Sequence, residues 1–498
     1  WLKSLARAPP APISRDALAA VAKNLMAPAN DVATTAEERE RVFPADFAWG
    51  VATAAHQIEG STEVDGRGQS IWDVFAKVQG RVSGGATADV ASNHYRLFEN
   101  DIALLKSLGI RHYQFSIAWP RVQPTGRGPA CHEGLEFYGR VVDCCVRHGI
   151  EPIPTLYHWD LPLALQLELF GWASPEIVPL FADYAREVFR ALGRRGVRRW
   201  ITLHEPWCTA VMGHSRGLHA PGVRSGDPAT VYRVGYHLLL AHAAAVRVFR
   251  EELQLDSEGG QIGITLSADW AEPAQASDMH ARTAELVQDC SIGWFAGPIF
   301  TGDYPATMRA HCGSLLPEFG PEERALLAGS ADFVCLRHRL AELVEVVLPD
   351  TLATCDQVCA DDDLWRTASV ELSKDRAWPL SDTQEPITPW ALRKVLLWFR
   401  DRFRPRGGIL VTGPGLCSRA RQTELDDPDR VQFLHEYIGA VHDAMVAGAD
   451  VRGYFATAFL DGFEWQEGYD VRSGLVHVDF ATQRRSPKAS ARWFSRTA

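Results

Sequence analysis

The octet Trp200-Ile201-Thr202-Leu203-His204-Glu205-Pro206-Trp207 holds the residue best placed to do chemistry. Apolar and β-branched residues run into a carboxylate followed by proline, the pattern of a short buried strand that delivers its last side chain into a cleft. A glutamate at the carboxyl end of a barrel strand is a candidate general acid or base. The plainer reading is a carboxylate that merely ends a strand, and the octet alone carries both.

Composition narrows the classes. The 498 residues are 46% hydrophobic, enough for a large core, and 16 Trp with 22 Phe suit an aromatic-lined cleft, although most of them must pack the core. A net charge of −11 with no basic stripe argues against nucleic acid or an anionic membrane surface as partner. The apolar run Leu238 to Val248 is interrupted by His242 and Arg247, so no transmembrane helix is expected. The chain begins at Trp1 rather than Met and carries no signal peptide, which fits a piece of a longer precursor and leaves the compartment open, the cytoplasm included. No Asn-x-Ser/Thr acceptor occurs, which weakens a secreted reading. Ten cysteines are too scattered for a disulfide scaffold, and neither Cys355 with Cys359 nor Cys144-Cys145 has zinc-site spacing.

The elements that must position Glu205 follow a strand–helix rhythm. Residues 1–42, with Pro9, Pro10 and Pro12 and an Ala-rich stretch from Ser14 to Met26, read as a linker or docking arm. From Phe43 to the end, candidate strands are Phe47–Thr53, His112–Ile117, Pro152–Leu156, Trp200–Leu203, Gln261–Leu266, Phe333–Leu336, Gly408–Val411 and Gly453–Phe459. Amphipathic helical stretches lie between them, among them Asn100–Leu108, Gly134–His148, Pro175–Leu192, Val231–Leu253 and Pro389–Arg402. Eight such units predict a single α/β domain over residues 43–498, a (β/α)8 TIM barrel with its site at the strand ends.

Those strand ends carry a likeness. Phe43-Pro44-x-x-Phe47-x-Trp49-Gly50, Gln57-Ile58-Glu59-Gly60, Ser70-Ile71-Trp72-Asp73, Phe115-Ser116-Ile117, His158-Trp159-Asp160-Leu161-Pro162, Thr202-x-x-Glu205-Pro206 and Phe463-Glu464-Trp465 together resemble glycoside hydrolase family 1 from Phe43 to Phe494. Within it the chain is most similar to the repeats of animal lactase-phlorizin hydrolase, through Gly293-Trp294-Phe295-Ala296, Gly302-Asp303-Tyr304-Pro305 and the closing Pro487-Lys488-Ala489-Ser490-Ala491.

The resemblance implies a retaining β-glycosidase, in which one carboxylic acid protonates the leaving oxygen and a second, about 5 Å away, attacks the anomeric carbon. Glu205 matches the acid/base. The Thr-Glu-Asn-Gly motif that supplies the nucleophile reads Thr412-Gly413-Pro414-Gly415, so the nucleophile position is glycine. Its supports differ too: the Arg that pairs with it is Gln114, the Asn-x-Tyr pair is Arg337 and Arg339, the Asn before the acid/base is His204, and the Trp that floors the sugar subsite is Thr457. Gln57, His158, Trp159, Glu464 and Trp465 stand where the family contacts sugar hydroxyls, and His204 lies beside them. The alternative for this set is core packing and buried hydrogen bonds inherited with the barrel. Arg337 and Arg339, if they point inward, favour ionised Glu205 and make it a poorer acid.

The expected function is a catalytically degenerate β-glycosidase fold acting as a folding, interaction or weak sugar-binding module, like the pro-region repeats of lactase-phlorizin hydrolase. By that resemblance the protein is extracellular or belongs to a membrane-anchored precursor, and its partners are a β-glycoside or oligosaccharide and neighbouring glycosidase repeats. An active retaining β-glycosidase with a relocated nucleophile, drawn from Glu424, Asp426 or Asp427, is one alternative. A receptor module resembling the klothos, holding a peptide partner, is another. No metal and no organic cofactor is implied, since this hydrolysis uses water and carboxylates alone.

Overall fold

The computed structural model describes residues 41–346, 370–413, 415–420 and 425–498. Most of the expected N-terminal arm, the Cys355/Cys359 pair, Pro414 and Glu424 lie outside the described residues.

Eight parallel strands close a barrel: β1 (Ala48–Thr53), β2 (His112–Ser116), β3 (Glu151–Tyr157), β4 (Arg199–His204), β5 (Gln261–Ser267), β6 (Phe333–Arg337), β7 (Ile409–Thr412) and β8 (Val451–Thr457). Each pairs with its neighbours in sequence, and β8 returns to β1 with Ala48 opposite Gly453 and Ala52 opposite Thr457. The expected (β/α)8 TIM barrel is therefore the fold.

Side chains along a strand alternate between the barrel interior and the helical layer. The interior is filled by Ala48, Ile153, Ile201, Phe333, Cys335, Leu410 and Phe455, all buried. Counting on by two from these residues places Arg337, Thr412 and Thr457 at the carboxyl-end mouth, facing inward. Thr202, one residue out of phase with Ile201, turns to the helical layer and meets His242 Nδ1 at 2.7 Å.

The outer layer includes α1 (His94–Ser107), α2 (His132–Arg147), α3 (Ile177–Leu192), α4 (Ala229–Arg247), α5 (Pro389–Arg402), α6 (Pro428–Val446) and α7 (Ala489–Thr497). In α3, Phe181, Tyr184, Ala185, Val188 and Phe189 recur at three- and four-residue spacing and are all buried. Burying each aromatic there contributes about 1.5–3 kcal/mol.

Two departures from the expected elements matter. The eighth strand sits two residues earlier than expected, because Ala458 and Phe459 bond to Ser473 and Ala52 rather than continue the ladder. A small sheet of Trp270–Pro273, Ala341–Val346 and Val370–Ser373, absent from the sequence reading, stands over the mouth.

The closing motif locks this architecture. Lys488 Nζ donates to Asp461 Oδ1 at 2.8 Å and to the Gly474 carbonyl at 2.7 Å, while Ser490 donates to the Asp427 carboxylate through both its amide and its hydroxyl. Asp461 and Lys488 are both buried, and Arg472 approaches Asp461 at 3.5 Å.

Candidate active site

A cavity of about 760 Å³ opens at the carboxyl ends of the strands. Gln57, His158, Trp159, His204, Glu205, Gly413, Glu464 and Trp465 all line it, as do Gln114, Arg337, Arg339 and Thr457. The residues singled out in the sequence therefore gather at one mouth of the barrel.

Glu205 is aimed into the cavity by its backbone. Its amide donates to the Thr265 carbonyl of β5 at 2.9 Å, and its φ of +46° turns the chain sharply before Pro206. Trp159 and Trp465 also have positive φ, +72° and +53°. Left-handed backbone at a residue with a β-carbon costs roughly 1–2 kcal/mol each, and three such residues on one cavity wall mark a site where side-chain direction outranks backbone comfort.

The Glu205 carboxylate is fully engaged. Ser267 Oγ donates to Oε1 at 3.0 Å, while His204 Nε2 lies 3.2 Å and Arg337 Nε 3.4 Å from Oε2. Burial pushes the carboxyl upward, but the Arg337 charge and the bonds from His204 and Ser267 outweigh it and hold Glu205 at about 2. At neutral pH it is a carboxylate without a proton to give.

His204 stacks on His158 with ring centroids 3.7 Å apart and 18° between planes. Burial holds both imidazoles below their ordinary range, with Arg337 adding to the effect, so the stack is neutral. Trp159 Nε1 donates to the His204 carbonyl at 3.1 Å, fixing the turn that carries Glu205, and Trp465 stacks over His158 and His56. Next to Trp465, Gln57 Nε2 donates to Glu464 Oε2 at 2.8 Å and Ser473 Oγ donates to Oε1. Burial pushes Glu464 up to about 7. Acceptors, donors and a stacked aromatic together form a wall suited to a polyhydroxylated ring.

The nucleophile position is different in kind. Gly413 has φ +89°, and a β-carbon there would stand 2.5 Å from Arg337 Cγ. Arg337 thus runs through the space a side chain at 413 would need, and ends on Glu205. Beside it, Thr412 Oγ1 donates to Gln114 Oε1 at 3.1 Å, tying β7 to β2 across the barrel. Arg339, by contrast, lies toward solvent, 3.6 Å from Glu385 and 4.0 Å from Asp269.

Of the acidic segment offered as a substitute, the described residues Asp426 and Asp427 do not reach the cavity. Asp427 is bonded to Arg430 at 2.9 Å and to Ser490, and neither it nor Asp426 lines the cavity. The sequence reading missed Ser267, the donor to Glu205, because the expected fifth strand stops at Leu266; extending it by the inward alternation reaches Ser267. It also missed Trp207, Trp270, Met212 and Leu372, which add apolar surface to the cavity lining. Trp207 and Met212 lie in the short helical segment after Glu205 and Trp270 and Leu372 in the small sheet, elements too short for periodicity to give a signal.

Comparison with known proteins agrees with this geometry. The Glycosyl hydrolase family 1 profile matches residues 39–498. The chain is 40% identical over 470 residues to Beta-glucosidase 4 of Oryza sativa subsp. japonica, covering 91% of this chain and 94% of that one. It is 39% identical over 457 residues to Beta-glucosidase A of Thermotoga maritima, covering 91% and 97%. Among solved structures, rice Os3BGlu6 β-glucosidase superposes with a TM-score of 0.85 at 35% identity, over 91% of this chain and 98% of that one. The family 1 β-glucosidase of Thermotoga maritima superposes with a TM-score of 0.83 at 38% identity, over 92% and 98%. Barrel, cavity and sequence agree, and the chain belongs to glycosyl hydrolase family 1.

Proposed function

We propose that this chain keeps a family 1 glycoside pocket without the retaining hydrolytic cycle, and serves as a weak glycoside-binding and interaction module. One observation carries the reading: where a second carboxylate is required, after β7, stands Gly413, and the Arg337 side chain occupies the space beside it while neutralising Glu205. A retaining mechanism needs a carboxylate to form the glycosyl–enzyme bond and a protonated acid to release the leaving group. Here the first is missing and the second is held ionised. Gln57, Glu464, His158 and Trp465 remain as contacts for sugar hydroxyls. The likeness to the pro-region repeats of lactase-phlorizin hydrolase supplies the interaction part: neighbouring glycosidase repeats of an extracellular or membrane-anchored precursor are the partners it would serve. Among the described residues no helix is long and apolar enough to cross a membrane.

A second reading, an active β-glucosidase with a relocated carboxylate, is favoured by the 40% identity to a protein named as a β-glucosidase. The two are separated by assaying 4-nitrophenyl β-glucoside and β-galactoside with the purified chain and with Glu205→Gln. We expect no turnover above background from either protein. Turnover abolished by Glu205→Gln would establish the second reading.

A further inference from the structure

We infer that the cavity floor is built for a sugar acid, with the ligand's own carboxylate received by Arg337 and Gln114 beside Gly413. This rests on the cavity being a glycoside pocket, and it names the class of ligand.

The argument begins with unspent donors. A guanidinium has five N–H groups in a planar fork. Among the described residues Arg337 makes one ion pair, from Nε to Glu205 at 3.4 Å, and neither terminal amino group donates to another residue. Gln114 spends its carbonyl oxygen on Thr412, and among the described residues its amide nitrogen has no acceptor. Both side chains line the cavity. Thr412 and Arg337 are register partners on adjacent strands, so the Thr412–Gln114 bond places the amide and the guanidinium on the same stretch of floor.

The second part concerns charge. A family 1 floor of the expected pattern carries two carboxylates, which repel any anion. Here the residue at 413 contributes nothing, the floor carboxylate Glu205 is matched by Arg337, and of the acids lining the cavity farther from that pair, Asp269 and Glu385 face Arg339 while Asp470 accepts from Ser83. A ligand carboxylate therefore meets a neutral ion pair whose free edge is cationic, and it can take both terminal amino groups in a bidentate pair. The neutral imidazoles of His158 and His204 add no opposing charge, and Glu464, pushed up to about 7, is substantially protonated near neutrality. The hydroxyl-binding wall and the anion-binding floor together describe a polyhydroxylated carboxylate of aldonic-acid type.

The test uses three probes at pH 7 by titration calorimetry: methyl β-D-glucoside, D-gluconate and D-glucitol. The last two share their hydroxyl pattern and differ by a carboxylate against a neutral CH2OH. We expect gluconate to bind at least tenfold more tightly than glucitol, with the ratio falling below twofold in Arg337→Gln. Binding of methyl β-D-glucoside without a preference for gluconate overturns the inference and leaves the pocket reading standing. Failure of all three probes to bind removes both. A preference that survives Arg337→Gln places the carboxylate elsewhere and refutes the assignment. If circular dichroism shows Arg337→Gln to be unfolded, Gln114→Leu replaces it: a threefold or greater loss of preference is expected, and an unchanged ratio counts against the inference.

Discussion

Restoring a glutamate at position 413 is the most direct challenge to the view that Arg337 has taken over that space. Two costs can be worked from the structure. A residue with a β-carbon at φ +89° is strained, and that β-carbon would lie 2.5 Å from Arg337 Cγ, a stem atom that moves only with the whole side chain. The backbone strain is about 1–2 kcal/mol and the forced repacking about 1–3 kcal/mol, so Gly413→Glu should destabilise by roughly 3 kcal/mol. In an Arg337→Ala background the stem is absent, and only the backbone cost of about 1–2 kcal/mol should remain. Urea unfolding of the two single variants and the double variant measures the coupling. A cost for Gly413→Glu equal within about 0.5 kcal/mol in both backgrounds would refute the claim that the two positions compete for one space. Activity follows the same logic. Positioning is worth roughly 7–11 kcal/mol of barrier, and the new carboxylate would have neither an arginine at 114 nor a tyrosine at 339 to orient it. If the chain lacks the retaining cycle as proposed, hydrolysis should be gained only when Gln114→Arg, His204→Asn, Arg337→Asn, Arg339→Tyr, Pro414→Asn and Thr457→Trp accompany Gly413→Glu. Rates from the single variant within tenfold of the combined one would refute the proposed part of the other six positions.

Two further outcomes follow from the charges already described. Glu205, held at about 2 against an ordinary value of 4.5, contributes stability that is present above pH 4.5 and lost as pH falls through 2. The contribution is roughly 3 kcal/mol; because Arg337 is its main source, Arg337→Met should cost clearly more stability in urea unfolding at pH 7 than at pH 3, and an equal cost at both would contradict the ion pair. Lys488→Met leaves the buried Asp461 carboxylate without its 2.8 Å partner, which should cost about 3–5 kcal/mol. A variant within 1 kcal/mol of the parent would mean that Arg472 and the Gly474 and Val478 amides suffice for Asp461.

The barrel was legible because a strand buried on both faces must be written as a short apolar run between turn residues, and β1 to β7 fall within a residue or two of their expected bounds. Glu205 was legible only with the rest of the chain: the octet by itself also allows a carboxylate that merely ends a strand, and the motifs at the other strand ends turned the choice toward the mouth. The sheet over the mouth was not, since Trp270–Pro273 is four residues long and its partners are half-buried, leaving neither alternation nor a continuous run. The Arg337–Glu205 pair lay between these cases. The alternation Phe333, Cys335, Arg337 already sends the guanidinium inward, but its partner belongs to β4, and no pattern within one segment reveals which side chains meet across a barrel. Asp426 and Asp427, weighed only as an alternative source of a nucleophile, lie near β7 in sequence but not in space; α6 begins there, and Asp427 faces Arg430 and Ser490.

The Lys488–Asp461 contact also sets an order of events during synthesis. All eight strands are complete by Thr457, so the barrel can close while the chain is still growing. Asp461 lies just before the turn that carries Glu464 and Trp465, and until residue 488 has emerged from the ribosome its buried carboxylate has only Arg472, at 3.5 Å, and the Gly474 and Val478 amides to answer it. That side of the cavity thus gains its last fastening after the strands are complete. A nascent chain stalled or cleaved before Lys488 would carry a finished barrel with an unfinished pocket, and would present that loose wall, rather than the barrel itself, to whatever machinery inspects newly made protein.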